Sequence, residues 1–124
     1  MKSYLFVFIG GGIGSGLRYW LSGVTYRFLP ENFPYGTLAV NVIGCFVIGV
    51  FLTLFQERFA VYRSLRTFVA IGILGGFTTF SSFSAETINL LRAGEMMLGS
   101  INIVVTMAGC LIACVVGVII VNLL

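Results

Sequence analysis

The sequence predicts an all-α integral membrane protein of four transmembrane helices, and three observations carry that prediction. Of the 124 residues, 59% are hydrophobic and only 9% are charged, with a mean hydropathy of +1.10, far more apolar than a soluble domain of this size. Four apolar runs, at about 3–24, 37–56, 67–91 and 96–124, each approach or exceed the roughly 20 residues that a helix needs to cross a bilayer. The segments between them are short and hold both prolines and most of the charges. The runs therefore read as a single transmembrane domain, 1–124, with the third helix broken mid-membrane.

Composition also removes several function classes. There is no histidine and no aspartate, and Cys45, Cys110 and Cys114 all lie in apolar runs without metal-ligand spacing. A metal-centred enzyme or a disulfide scaffold is not expected, and no nucleophile–base pair is present. Cys110 and Cys114 lie one helical turn apart and read as small packing groups. The net charge of +3 and pI near 9.0 do not point to nucleic acid, because no basic run accompanies them; interfacial Lys and Arg account for the balance.

The first run follows Lys2, as a signal peptide would, but glycines at 10, 11, 12, 14 and 16 interrupt it and no small-residue cleavage site follows. Gly10 and Gly14, and Gly12 and Gly16, are small residues four apart, which favours close helix packing over a ligand loop. Their GxGxxG-like spacing is no nucleotide fingerprint, since no strand precedes it. Arg18 lies toward the end of this helix, where snorkelling to the interface is favoured over a pore role. Residues 26–36 carry both prolines and an aromatic belt and read as an interfacial loop.

In the second run Asn41 is the one strongly polar side chain, about one turn inside the membrane. An interhelical hydrogen bond and a donor aimed at an anion account for it equally well. Residues 57–66 form the most charged segment, with Glu57, Arg58, Arg63 and Arg66, and read as a short extramembrane turn.

The third run centres on residues 75–84, Gly-Gly-Phe-Thr-Thr-Phe-Ser-Ser-Phe-Ser. Hydroxyls at 78, 79, 81, 82 and 84 are too many for one helical stripe, so protein or water must surround this mid-membrane stretch. The Gly75 and Gly76 pair weakens the helix just before them, and broken backbone at this depth must be buried in protein or line a cavity. Glu86, the only acid inside an apolar run, reads first as paired or close to headgroups. After a short link at 93–95, the fourth run places Asn102, Thr106, Cys110 and Cys114 on one stripe and Gly109, Ala113 and Gly117 on an adjoining one. Helix packing and pore lining are both open for the polar stripe.

Four spans put both termini on one side. Lys2, Arg58, Arg63 and Arg66 then stand against Arg18, Arg27 and Arg92, so the positive-inside rule barely sets an orientation. Insertion in both orientations, and an antiparallel homodimer, are compatible with that count. Four helices alone leave little room for a pore, so transport implies assembly.

Residues 75–86, together with Gly-Thr-Leu-Ala-Val-Asn over 36–41 and Gly-Gly-Gly-Ile-Gly-Ser-Gly-Leu-Arg over 10–18, resemble the CrcB/Fluc fluoride channel family across essentially the whole chain. The resemblance implies a bacterial plasma-membrane protein that exports fluoride passively, as an antiparallel dual-topology homodimer in lipid. It also implies two fluoride pores and a structural, untransported sodium ion at the dimer centre. Residue by residue, it implies that the ring edges of Phe80 and Phe83 line the fluoride path. Asn41 matches the pore asparagine, and Thr79 and Ser82 match neighbouring hydroxyl positions. Thr106 and Cys110 match a polar track in which serine is common at the second position. Gly75 and Thr78 match the positions whose backbone carbonyls bind sodium.

Physical chemistry agrees with this resemblance. Fluoride is small and tightly hydrated, so a selective path must replace water by many close donors, which Asn, Ser and Thr supply without trapping the ion. Phenylalanine ring edges carry positive charge, although spacing alone reads Phe80 and Phe83 as ordinary aromatic packing. Two other readings compete: a small four-span proton-coupled multidrug exporter, which needs a central carboxylate that this chain lacks, and a non-transporting membrane assembly protein. Neither nucleic acid nor another protein is implied as a partner.

Overall fold

The computed structural model describes residues 1–56 and 62–124. Glu57 and Arg58, counted above in the charged segment, lie outside the described residues. Helix α1 runs from Lys2–Phe28 and stops where Leu29 turns extended (φ −122°, ψ 146°), because the residue before Pro30 is pushed out of the helical region. Helix α2 covers Tyr35–Leu54 with Pro34 just before its first turn, where a missing N–H costs nothing. The third run begins as a short α3 (Arg63–Arg66). It continues as a π-helix over Thr67–Leu74 and a single α-helical turn, α4 (Gly75–Phe77). After two extended residues it resumes as α5 (Phe80–Arg92). The α5–α6 link holds one residue that must be glycine: Gly94 has φ 83°, and its N–H and that of Glu95 close the helix end onto the Leu91 and Leu90 carbonyls. Helix α6 completes the chain over Met96–Leu123.

Among the described residues, three helical spans are long and apolar enough to cross a membrane: Tyr35–Leu54, Arg63–Arg92 and Met96–Leu123. The protein is thus an all-helical membrane protein among the described residues. Helix α1, at 27 residues, is long enough to match them, but its glycines, Lys2, Arg18 and Arg27 make it less apolar.

The helices pack as two pairs, α1 on the π-helix and α4, and α2 on α6. The first pair depends on small residues. A Cβ at Gly14 would overlap the Ile73 carbonyl, and one at Gly76 would sit 2.5 Å from the Gly11 carbonyl oxygen. Of the two fours-spaced pairs in α1, Gly10 and Gly14 let backbones touch as the sequence suggests, whereas Gly12 and Gly16 face open space. The interior is unusually polar: Thr37, Asn41, Thr79, Thr87, Asn102 and Thr106 are buried beside few apolar side chains, of which Val40 is the most enclosed.

The break in the third helix falls at Thr78 and Thr79, three residues beyond the glycine pair that the sequence singles out. Gly75 and Gly76 stay helical, since Gly76 is seated against the α1 backbone. The two threonines are β-branched, which suits extended backbone, and Thr79 has a polar partner outside the helix in Asn41.

Candidate functional site

At the break, Thr78 (φ −78°, ψ 153°) and Thr79 (φ −150°, ψ 105°) leave the helix in succession. The Thr78 N–H and hydroxyl both donate to the Leu74 carbonyl, at 3.0 Å and 2.9 Å. Thr79 then caps α5, its Oγ1 accepting from the Ser82 N–H at 3.2 Å and donating to Ser82 Oγ at 3.0 Å. The Thr79 backbone is satisfied by Asn41. Its N–H donates to Asn41 Oδ1 at 2.7 Å, and its carbonyl accepts from Asn41 Nδ2 at 3.1 Å. One side-chain amide thus replaces the neighbouring strand that an extended residue would otherwise need. Asn41 keeps one amide hydrogen beyond these two bonds.

These bonds divert donors from the helix. In a continuous helix the N–H groups of Thr79 and Ser82 would bond the Gly75 and Thr78 carbonyls; here they go to Asn41 and Thr79 Oγ1. Gly75 and Thr78 line an open groove of about 190 Å³ with Gly44, Cys45, Ile48, Ala70 and Leu74. Two carbonyls released from helical pairing beside such a groove fit a hard cation with oxygen ligands.

On the other side of the break lies a polar cavity of about 300 Å³. Ser15, Arg18, Tyr19 and Ser22 from α1, Thr37 and Val40 from α2, and Thr79, Ser82 and Glu86 from the third helix line it. Arg18 therefore faces a cavity built by three helices, where the sequence favoured simple snorkelling. Glu86 is held by the Thr37 hydroxyl, which donates to Oε1 at 2.7 Å; its Oε2 is buried without a hydrogen-bond partner among the described residues. Glu86 also lines a second cavity of about 270 Å³, shared with Tyr26 of α1 and with Glu31 and Asn32 of the loop that follows.

The remaining candidate residues lie elsewhere. Phe80 and Phe83 form a ridge with ring centroids 5.3 Å apart, but Phe83 is buried while Phe80 is 69% exposed. Thr106 donates to Asn102 Oδ1 at 3.2 Å, so its proton is committed within α6. Cys110 lies close to Cys45 of α2. One chain therefore distributes the candidates over a cavity, an aromatic ridge and the inner face of α6, and does not assemble them into one continuous path. Two threonines were not singled out from sequence, Thr37 and Thr87. Their one available signal is position, Thr37 one turn before Asn41 and Thr87 one turn after Phe83.

A family model described as CrcB-like protein, Camphor Resistance (CrcB), matches residues 5–118. Among curated relatives, a protein of Opitutus terrae called a fluoride-specific ion channel is 48% identical over 115 residues, covering 91% of this chain and 87% of its own. A protein of the same description from Rhizobium leguminosarum bv. trifolii is 52% identical over 101 residues, covering 82% and 81%. Another, from Phocaeicola vulgatus, is 52% identical over 94 residues, covering 76% and 77%. With the family model spanning all six α-helices and relatives at this identity over most of their length, the chain belongs to the CrcB-like family.

Proposed function

We propose that this protein is a fluoride-selective ion channel, not an enzyme, that lets fluoride leave the bacterial cytoplasm passively across the plasma membrane. The observation that carries the reading is the helix break held by Asn41, which sets the hydroxyls of Thr79 and Ser82 beside Arg18 in a polar cavity. The names of the relatives supply the ion. Arg18 draws an anion into the cavity, and neutral donors replace its water: the Ser82 hydroxyl, the spare Asn41 hydrogen and, once it releases Ser82 Oγ, the Thr79 hydroxyl. The ion then passes the positive ring edges of Phe80 and Phe83 and the track of Thr106 and Cys110, where Thr106 must release Asn102 to donate.

The working unit is an antiparallel homodimer of four-span chains, with α1 as the additional span. Phe80 is a large apolar ring that is 69% exposed, and the candidate residues are scattered in a single chain; a second, inverted copy supplies both the cover and the missing wall. Gly75 and Thr78, with their released carbonyls, would hold a structural sodium ion where two breaks meet on the symmetry axis. When bound, that ion supplies positive charge to carbonyls that have lost their helical donors. Tags placed on the C-terminus should be reachable from both sides of the membrane; labelling from one side alone would defeat the dual-topology assignment.

Efflux from liposomes containing the purified protein tests the function. Fluoride should leave down its gradient without a proton gradient, chloride should be retained, and exhaustive sodium removal should lower fluoride efflux. Equal chloride and fluoride efflux would overturn the reading. Dependence on proton exchange would favour the multidrug-exporter class instead, for which Glu86 is the only carboxylate within the spans.

A further inference from the structure

Helix α5 is cut off from the first half of its span by the break, so other elements must fix its position. Three polar clasps do so. Asn41 of α2 grips the Thr79 backbone at its start, Thr37 of α2 holds Glu86, and α6 supplies the third. There Thr106 donates to Asn102 Oδ1 at 3.2 Å, Asn102 Nδ2 donates to Thr87 Oγ1 at 2.9 Å, and Thr87 donates to the Phe83 carbonyl at 2.7 Å. All three side chains are at most 5% exposed, and Asn102, at 2%, is among the most completely buried side chains of the protein.

This chain of hydrogen bonds runs in one direction and ends on the backbone of one residue. A Thr back-bonded to its own helix bends that helix locally, and a second donor arriving at the same hydroxyl fixes both its rotamer and its proton. Asn102 is too enclosed to meet a passing ion, and both ends of its amide are engaged. We propose that Asn102 is a positioning residue that acts through Thr87 to fix the α5 backbone at Phe83, and with it the ring edge presented to the ion path. The proposal rests on the fluoride-channel reading for the meaning of that ring, and gives Asn102 a role distinct from the donor track on which its spacing places it.

The test compares Asn102→Leu, Thr87→Val and the double variant with the unchanged protein in liposomes, measuring fluoride and chloride efflux. Each single variant should lower fluoride efflux about tenfold and narrow the fluoride-to-chloride ratio. The double variant should be no worse than the worse single one, because both act through one chain. Thr87→Val keeps volume and leaves Asn102 in place, so it decides the matter even if Asn102→Leu fails to assemble. Full efflux in Thr87→Val, or losses that add, would overturn the proposal; the first result alone is what a direct Asn102–ion contact predicts. A fluorine NMR probe, 4-fluorophenylalanine introduced at position 83, reads ring position without transport. Its resonance should move in both single variants, and an unmoved resonance would overturn the proposal even if the unchanged protein passed no fluoride.

Discussion

Asn41→Leu is expected to be the most damaging single substitution in the protein. Leucine keeps the branching of asparagine, though it is bulkier, and leaves the Thr79 N–H and carbonyl without partners in a buried, mid-membrane position. Each abandoned group costs about 1–3 kcal/mol, so the variant should lose roughly 2–6 kcal/mol of stability, and more if no water reaches the break. The alternative open to the chain is to close the break, returning the Thr79 N–H to the Gly75 carbonyl. That would turn α5 about its axis and carry Phe80, Phe83 and Ser82 away from their present faces. Either outcome removes fluoride efflux. Thermal unfolding of the detergent-solubilised protein separates the two roles that the sequence left open. A large drop in melting temperature identifies the backbone clasp as the main role, and lost efflux at unchanged stability would identify Asn41 as an ion donor alone.

Phe80→Ile and Phe83→Ile are expected to separate conduction from folding. Isoleucine remains apolar but lacks the positive ring edge, and loss of that interaction should lower fluoride efflux about tenfold for each ring. The stability effects should differ between the two sites. Phe80 is 69% exposed in the single chain, so its replacement should leave protomer folding unchanged, while buried Phe83 should lose up to about 1.5 kcal/mol. Efflux at the unchanged level in both variants would return the pair to ordinary packing.

Much of the architecture is legible in the sequence because the bilayer enforces it. Apolar length alone places α2, α6 and the third span within a few residues, and one of the two fours-spaced glycine pairs of α1, Gly10 and Gly14, makes the backbone contact that such spacing announces. The break is legible only in outline. Propensity points to the Gly75 and Gly76 pair, but those residues are held helical by α1, and the chain opens where Asn41 can satisfy an extended threonine instead. Such a choice depends on a residue 38 positions away, which no local pattern contains. The same holds for Asn102: its stripe with Thr106 and Cys110 is visible as periodicity, whereas its bond to Thr87 depends on how α5 and α6 meet. Arg18 is the converse case, a charge whose place near a helix end suggests the interface until α2 and α5 build a cavity beside it.

The most direct measurement is the reversal potential of currents through the purified protein in a planar bilayer, with fluoride and chloride present on both sides in opposing gradients. A passive fluoride-selective channel reverses at the fluoride equilibrium potential and is insensitive to an imposed pH gradient. Reversal at a potential set by chloride or by protons would contradict the account.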